Sequence, residues 1–209
     1  SLPIFKEYLE KNNIDNNTTK IIYSSGLEDK KDIREYIDKE FYVCGNNLQK
    51  FTLLSNPYNL DKKLFQENIV LPDVSETFHY KFISKKNNSS GGLNVANNDT
   101  SSDIYYQQYI PGNTYSVSFL SSETDSQILG FNQLFLVKDS AKYPYMYAGA
   151  MTLGLNYKKL SYYKKWINNF SALYKLNGFC SIDYKIYNNK IYIIDINPRL
   201  SGTYRLYKK

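Results

Sequence analysis

Hydrophobic residues at alternating steps of three and four predict a long amphipathic helix near the end of the chain. These residues are Leu160, Tyr163, Ile167, Phe170 and Tyr174. The spacing places their side chains on one helix face. The pair Asn177-Gly178 follows, and glycine readily adopts the left-handed conformation that is common after a last turn. We therefore expect a helix over 160–174 that Asn177-Gly178 caps.

From residue 78 onward, short apolar runs between turn residues predict strands. These strands cover residues 79–84, 104–110, 114–121, 128–137, 181–187 and 191–196. Pro111-Gly112 and Asn188-Asn189 separate neighbouring runs, and such turn pairs favour antiparallel pairing. Residues 87–103 are rich in Asn, Ser and Gly, which is typical of a surface loop.

The segment 19–45 predicts a short β-α-β unit, with strands at 21–23 and 41–44 and a helix over 29–39. Acidic residues in the first turn favour that helix. Two strands are too few to be stable alone, so we expect the unit to pack on the rest of the chain. A linker with a weak helix around 61–67 follows. The fold class is therefore α+β, with two lobes that meet near residues 110–114.

The composition is that of a globular protein: 42% of the 209 residues are hydrophobic and 16% are aromatic. No run of about 18 apolar residues occurs, which excludes a membrane-spanning helix. Ser1-Leu2-Pro3 has no signal-peptide pattern and no initiator Met, which favours a processed or cut fragment. Cys44 and Cys180 form no disulfide framework, so we expect a reduced, cytoplasmic setting.

The net charge of +6 comes almost entirely from lysine, because the only arginines are Arg34, Arg199 and Arg205. Nucleic-acid interfaces depend on the bidentate fork of arginine, so a nucleic-acid partner is disfavoured. Abundant Lys, Asn, Ile and Tyr instead indicate a genome biased towards A and T codons. His79 is the only histidine, which disfavours catalysis by a histidine base.

The segment Asp195-Ile196-Asn197-Pro198-Arg199 ends the last predicted strand. Asp195 and Asn197 project to the same face of a strand, and Asp183 lies on the partner strand of the hairpin. Oxygen ligands of this kind suit Mg²⁺, which also keeps waters and binds substrate phosphate. An ordinary hairpin with solvated carboxylates is the simpler alternative.

The metal hypothesis sets a condition on the hairpin. A plain two-residue turn at Asn188-Asn189 would pair Asp183 with Ile194 and turn Asp195 to the opposite face. A three-residue loop or a bulge would place Asp183 across from Asp195. The hypothesis therefore predicts one of these two irregularities.

Two further segments could bind a nucleotide. In Lys85 to Gly92 a lysine precedes small residues, whose backbone N–H groups can approach phosphate oxygens. This is no Walker A loop, since no Gly-Lys-Ser/Thr follows. In Tyr106 to Gly112 a strand enters a turn, where backbone groups could bind an adenine edge. A polar loop and an ordinary hairpin are the alternatives.

In order and spacing, these features resemble the ATP-grasp superfamily, and more narrowly its group of predicted ATP-dependent carboligases. The three main matching pieces are Lys85 with Gly91-Gly92, Gln107 to Gly112, and Asp195 to Arg199. Further matches are Ser24 to Glu28, Gly45-Asn46, Gly130 to Gln133 and Tyr147 to Ala150. The resemblance covers about residues 20–203. It implies two α+β lobes with mostly antiparallel sheets, over 47–112 and 113–209, after a truncated β-α-β pre-ATP-grasp remnant over 1–46.

The resemblance also implies a function: a Mg-ATP-dependent ligase that activates a carboxylate as an acyl-phosphate for attack by an amine or similar nucleophile. Lys85 would contact the ATP phosphates, and Arg199 would stabilise the acyl-phosphate. The residues implied to fold over the phosphates are Ser89, Ser90, Gly91 and Gly92. Those implied to hold the adenine through the backbone are Gln107, Gln108, Tyr109 and Ile110. Those implied to bind Mg²⁺, or Mn²⁺, are Asp183, Asp195 and Asn197.

Two other functions stay open. The short ends of the chain favour a nucleotide-binding module without catalysis. A basic nucleic-acid binder could stack bases on exposed Tyr side chains, although scarce arginine disfavours it. The substrates and the oligomeric state do not follow from the sequence.

Overall fold

The computed structural model describes residues 1–65, 68–87, 89–96, 103–137, 140, 142–155 and 160–207. The helices are α1 (Leu2–Lys11), α2 (Lys31–Glu40), α3 (Leu48–Ser55) and α4 (Leu160–Tyr174), with 3₁₀ helices at Pro57–Asn59, Lys62–Leu64 and Gly202–Tyr207. The first strands are β1 (Lys20–Ile21), β2 (Tyr42–Val43), β3 (Ile69–Val70), β4 (Val74–Ser75), β5 (Phe82–Lys86), β6 (Val95–Ala96) and β7 (Ile104–Gln108). The longer ones are β8 (Thr114–Ser122), β9 (Ser126–Leu136), β10 (Tyr147–Gly154), β11 (Asn177–Tyr187) and β12 (Lys190–Asn197).

The larger sheet has six strands in the order β10-β9-β8-β11-β12-β3. Its pairs are antiparallel except for the parallel pair of β12 and β3. Helix α4 packs on this sheet through Tyr163, Ile167 and Phe170, which are buried with Phe131. The predicted helix is therefore confirmed, and burial of its apolar face explains its position.

The predicted cap of this helix is wrong. Lys175, with φ 48°, takes the left-handed conformation after the last turn, and the Leu176 N–H donates to the Ser171 carbonyl at 2.9 Å. Asn177 and Gly178 instead begin β11. A Cβ on Gly178 would lie 2.8 Å from the Gly45 Cα, so this glycine permits a close approach to the chain after β2.

The smaller sheet has four strands in the order β4-β7-β5-β6, all antiparallel. The strand predicted from residue 79 begins later, at Phe82, because a turn closes with the Phe82 N–H donating to the His79 carbonyl at 2.8 Å. Together the two sheets agree with the predicted α+β class and its mainly antiparallel strands.

The N-terminal part contains the predicted β-α-β unit, in which α2 joins the parallel strands β1 and β2. A separate core forms around Ile33, Ile37 and Phe51. Helices α1 and α3 were not predicted, and the weak helix expected at 61–67 is a 3₁₀ turn at Lys62–Leu64; residues 66 and 67 lie outside the described residues. The segment from α3 to β3 packs on the six-stranded sheet, with Leu54 and Ile69 in its core.

Within the described ranges, no helix is both long enough and apolar enough to span a membrane.

Candidate functional site

A cavity of about 290 Å³ lies between the two sheets. The four-stranded sheet lines it with Lys85 and Gln107, and the six-stranded sheet with Ser116 and Asp183. Residues of the N-terminal part also reach it, among them Glu28. Every site residue singled out from the sequence lines this cavity: Lys85, Ser89, Ser90, Gly91, Gly92, Gln107, Gln108, Tyr109, Ile110, Asp183, Asp195, Asn197 and Arg199.

A β-bulge in the hairpin of β11 and β12 brings the two predicted carboxylates together. The turn is a two-residue one, with Tyr187 paired to Lys190 and with positive φ at Asn188 and Asn189. Further along, Tyr184 pairs with Ile193 whereas Asp183 pairs with Asp195, so Ile194 is the extra residue. Of the two predicted irregularities, the three-residue loop is wrong and the bulge is confirmed. The bulge shifts the register by one position, which places Asp183 across from Asp195.

Lys85 at the end of β5 joins the two sheets across the cavity. Its ammonium donates to the Ile194 carbonyl at 2.7 Å and lies 4.0 Å from the Asp195 carboxylate. Burial on its own would lower the pKa of Lys85, but Tyr105 and the Asp195 and Asp183 charges raise it above its usual value. The side chain is therefore a fixed positive charge on the cavity wall, where it can attract a negatively charged ligand.

The carboxylates of Asp183 and Asp195 repel each other. Burial and the neighbouring Asp195 charge raise the pKa of Asp183 above its usual value, although Arg199 and Lys85 oppose this shift. Asn197 donates through Nδ2 to the Asp195 carboxylate at 3.3 Å, and its Oδ1 accepts from Arg199 at 2.8 Å. A divalent cation between these oxygens would relieve the repulsion.

The described residues contain no group of three or more His, Cys, Asp or Glu that could hold a metal. A cation at this place would thus have two carboxylates and one amide oxygen from the protein. That donor set fits Mg²⁺, which is usually bound through one or two carboxylates and completes its shell with water and phosphate.

Arg199 is held from the N-terminal part of the chain. Its Nε lies 2.6 Å from the Glu28 carboxylate, and their side chains are only 6% and 11% exposed. The other oxygen of Glu28 accepts from the Gly26 N–H at 2.6 Å. Sequence reasoning gave Glu28 no role, although an acidic residue after Ser-Ser-Gly at a strand end was a usable signal.

The loop of Ser89 to Gly92 contacts the six-stranded sheet. The Tyr147 N–H donates to the Gly91 carbonyl at 2.9 Å. Gly92 has φ +72°, and a Cβ there would lie 1.9 Å from the Tyr145 carbonyl oxygen. No other residue fits this approach without moving the backbone, so a glycine is required at this point.

The hinge between β7 and β8 forms the other end of the cavity. The Tyr109 N–H donates to the Lys81 carbonyl at 2.8 Å, and Ile110 is buried. Lys185 on β11 donates to the Gly112 carbonyl at 3.0 Å, and burial lowers its pKa. Sequence reasoning missed Lys185, although it follows Asp183 by two positions and so faces the same side of β11.

Comparisons with known proteins identify the family and the fold of the chain. The family model described as an ATP-grasp domain matches residues 54–203. The uncharacterized protein MJ0776 of Methanocaldococcus jannaschii is 30% identical, over 78% of this chain and 45% of its own length. The chain thus spans less than half of that relative.

Two solved structures share the fold at low sequence identity. Biotin carboxylase from Campylobacter jejuni, in complex with β,γ-ATP, has a TM-score of 0.70 and 14% identity, over 99% of this chain and 54% of that chain. D-alanine–D-alanine ligase from Bacillus anthracis has a TM-score of 0.57 and 14% identity, over 93% of this chain and 73% of that chain.

Proposed function

Because the chain belongs to the ATP-grasp family and has the ATP-grasp fold, we propose that it is a Mg-ATP-dependent ligase. The match of the family model to residues 54–203 confirms the family resemblance predicted from the sequence. In this proposal the protein activates a carboxylate as an acyl-phosphate, which an amine or similar nucleophile attacks. The observation that carries the proposal is the bulge at Ile194, which sets Asp183 opposite Asp195 beside the Lys85 ammonium.

The nucleotide would lie along the cavity with its base at the hinge. The backbone of Gln107 to Ile110 would hold the adenine. Lys85 would bind the phosphates through its ammonium group, and the loop of Ser89 to Gly92 would cover them. The support for this order is that the hinge, Lys85 and the loop all line one cavity.

Asp183, Asp195 and Asn197 would hold Mg²⁺, and Mn²⁺ could replace it because it accepts the same oxygen ligands. The ion would supply charge neutralisation and orientation of the phosphates. In this structure the Asn197 Nδ2 faces the Asp195 carboxylate and its Oδ1 accepts from Arg199, so the amide would turn over for Oδ1 to bind the ion.

The proposed reaction has two steps. A carboxylate oxygen of the substrate attacks the γ-phosphorus, the bond to the β-phosphate oxygen breaks, and ADP leaves. An amine nitrogen then attacks the acyl carbon, inorganic phosphate leaves, and the amine loses a proton. Arg199 would stabilise the anionic oxygens of the acyl-phosphate. Positioning and electrostatics carry phosphoryl transfer, so no histidine or cysteine is needed.

The two lobes are proposed to meet at residues 112 and 113, with 47–112 and 113–209 on either side and residues 1–46 as a pre-ATP-grasp remnant. Within the first lobe, the segment from α3 to β3 packs on the six-stranded sheet of the second. A cytoplasmic location also stays part of the proposal. Its support is that Cys44 and Cys180 are both free thiols, a state that reducing compartments maintain.

Release of ADP and phosphate tests this function. The protein is incubated with Mg·ATP and a panel of carboxylates and amines, beside Asp195→Asn and the control Glu35→Gln on the exposed side of α2. Turnover that needs a substrate, disappears in Asp195→Asn and persists in Glu35→Gln supports the ligase. Thermal stabilisation by ATP without turnover would show a nucleotide-binding module instead. Salt-sensitive RNA binding without either response would contradict both nucleotide functions.

A further inference from the structure

Arg34 on α2 places a buried guanidinium in the wall of the cavity. The residue is 2% exposed, and it lines the cavity together with Ser25 and Glu28. Arg34 lies near Arg199 in the cavity wall, because both arginines contact Glu28. Arg34 Nη1 donates to the Glu28 carbonyl at 3.1 Å, and Arg199 Nε lies 2.6 Å from the Glu28 carboxylate.

Within the described residues, two of the three guanidinium nitrogens of Arg34 have no hydrogen-bond partner. Nε and Nη2 are buried, and neither forms a hydrogen bond to any described residue. Among those same residues no acidic oxygen lies within 4.0 Å of the guanidinium. Buried charged donors are almost always paired, since leaving them unsatisfied is costly. Burial accordingly lowers the pKa of Arg34 from its usual value.

The acidic residue nearest in sequence on the same helix has other partners. Asp38 accepts from the Tyr23 hydroxyl at 2.6 Å and from the Leu48 N–H at 2.6 Å. Its two oxygens are therefore occupied by donors other than Arg34. The fork of Arg34 is left for a group that the described chain does not supply.

The two unpartnered nitrogens form the side-on fork of a guanidinium. The Nε–H and the adjacent Nη2–H point in one direction, at a separation that matches the two oxygens of a carboxylate. The guanidinium lies over the Phe51 ring, with Arg34 Cζ 4.2 Å from the ring centroid. This cation–π contact holds the guanidinium against the ring.

Ser181 supplies a third donor on the same cavity wall. It is 1% exposed and lines the cavity, and its hydroxyl has no hydrogen-bond partner among the described residues. It lies two positions before Asp183 on β11, so its side chain is on the same strand face as the proposed metal ligands. Arg34 and Ser181 thus both line the cavity with buried donors that have no hydrogen-bond partner among the described residues.

We propose that the Arg34 fork binds a carboxylate of the non-nucleotide substrate, distinct from the carboxylate that is activated beside Arg199. The substrate class is then an organic acid with two carboxylates. This inference rests on the proposed ligase function, because it assigns the second substrate of that reaction. Because Nε and Nη2 are covered in this structure while Arg34 lines the cavity, the proposal includes a small movement of the cavity wall that opens the fork to the carboxylate. Arg34 would bind it in both steps without contacting the reacting atoms.

Binding of small dicarboxylates to the wild-type protein tests the site directly. With Mg²⁺ and a non-hydrolysable ATP analogue present, we would titrate succinate, glutarate and adipate, each against its monoamide, and measure dissociation constants by calorimetry. A charge-assisted bidentate contact corresponds to about 10- to 100-fold in affinity. At least one diacid should therefore bind about tenfold or more tightly than its monoamide. Equal affinities, or no binding by any diacid, would overturn the proposal.

Variants then assign the preference to Arg34. Arg34→Gln should abolish the discrimination between diacid and monoamide. Arg34→Lys should lose most of it, because lysine keeps the charge but lacks the fork. The control Lys39→Gln removes an 81% exposed charge from the same helix and should behave like the wild type. An unchanged preference in Arg34→Gln, with ATP-analogue affinity within twofold of the wild type as proof of folding, would refute the assignment.

The analogue keeps this result separate from turnover. Arg34-dependent discrimination without any release of ADP would refute the ligase reaction and support the anion site. Turnover with monocarboxylates at the rate seen with diacids would support the ligase and refute the anion site.

Discussion

Gly92 is the point at which the loop of the four-stranded sheet touches the six-stranded sheet, so its replacement by alanine should weaken the binding of Mg·ATP. The added Cβ would lie 1.9 Å from the Tyr145 carbonyl oxygen and 2.7 Å from its carbon. Both atoms belong to the backbone and cannot rotate away. The loop would have to leave the sheet, and the Tyr147 N–H would lose its 2.9 Å hydrogen bond to Gly91.

Gly91→Ala is a matched control for this substitution. Gly91 has φ +67° and Gly92 has φ +72°, yet a Cβ on Gly91 would meet nothing within 4 Å. Both alanines therefore carry the same left-handed backbone penalty of about 1–2 kcal/mol, and only Gly92→Ala adds the collision. The difference between the two variants isolates the contact of the loop with the sheet.

The size of the effect follows from the proposed role of the loop. A hydrogen bond to a charged group contributes about 1.5–3 kcal/mol, which corresponds to about 10- to 100-fold in dissociation constant. Gly92→Ala should thus bind Mg·ATP at least about tenfold more weakly than Gly91→Ala by calorimetry. Adenosine, which lacks phosphates, should bind both variants equally. Equal Mg·ATP affinities, or a parallel loss for adenosine, would refute the contact of the loop with phosphates.

Three further changes probe the anchor of Arg199, the reactivity of the thiols and the core. Glu28→Gln should lower kcat for ADP release at least about tenfold while the dissociation constant of Mg·ATP stays within twofold, because it removes the carboxylate 2.6 Å from Arg199 Nε; an unchanged kcat would contradict this. Burial raises the pKa of Cys180 to about 12, so iodoacetamide at pH 8 should label Cys44 alone in the native protein, and mass spectrometry of Cys44→Ser should show no label before denaturation. Ile167→Ala should lower the free energy of unfolding in urea by about 2–5 kcal/mol, since Ile167 is 0% exposed, whereas Leu173→Ala on the exposed side of α4 should change it by less than about 0.5 kcal/mol.

Local patterns predicted the elements whose stability comes from one continuous apolar face. The apolar residues at alternating steps of three and four predicted α4, and Tyr163, Ile167 and Phe170 among them pack into the core. The same reasoning failed at its end, where Gly178 could serve equally as a cap or as a site of close packing. Only the position of Gly45, which is distant in sequence, decides between them.

The candidate site shows a different limit. Alternation along β11 and β12 predicted that Asp183 and Asp195 could face each other only with an irregular hairpin, and a bulge at Ile194 provides it. The alternation of residues along the two strands could not predict that the irregularity is a bulge at Ile194 rather than a longer loop. The sequence could mark Glu28 as a candidate site residue but could not identify Arg199 as its partner, because only the folded arrangement brings these two parts of the chain together.

Strand β11 orders the chemistry of the cavity by its two-residue period. Ser181, Asp183 and Lys185 all line the cavity, and successive residues on one strand face are about 6.6 Å apart. Lys185 contacts the hinge at Gly112, while Asp183 faces Asp195 and Ser181 pairs with Asn197, next to Pro198 and Arg199. The distance from Lys185 to Ser181 is therefore about 13 Å. Along that length the cavity passes from the hinge through Lys85 and the two carboxylates to Arg199 and Arg34. A nucleotide whose adenine lies near Lys185 would therefore point its γ-phosphate towards the end where the second substrate is proposed to bind.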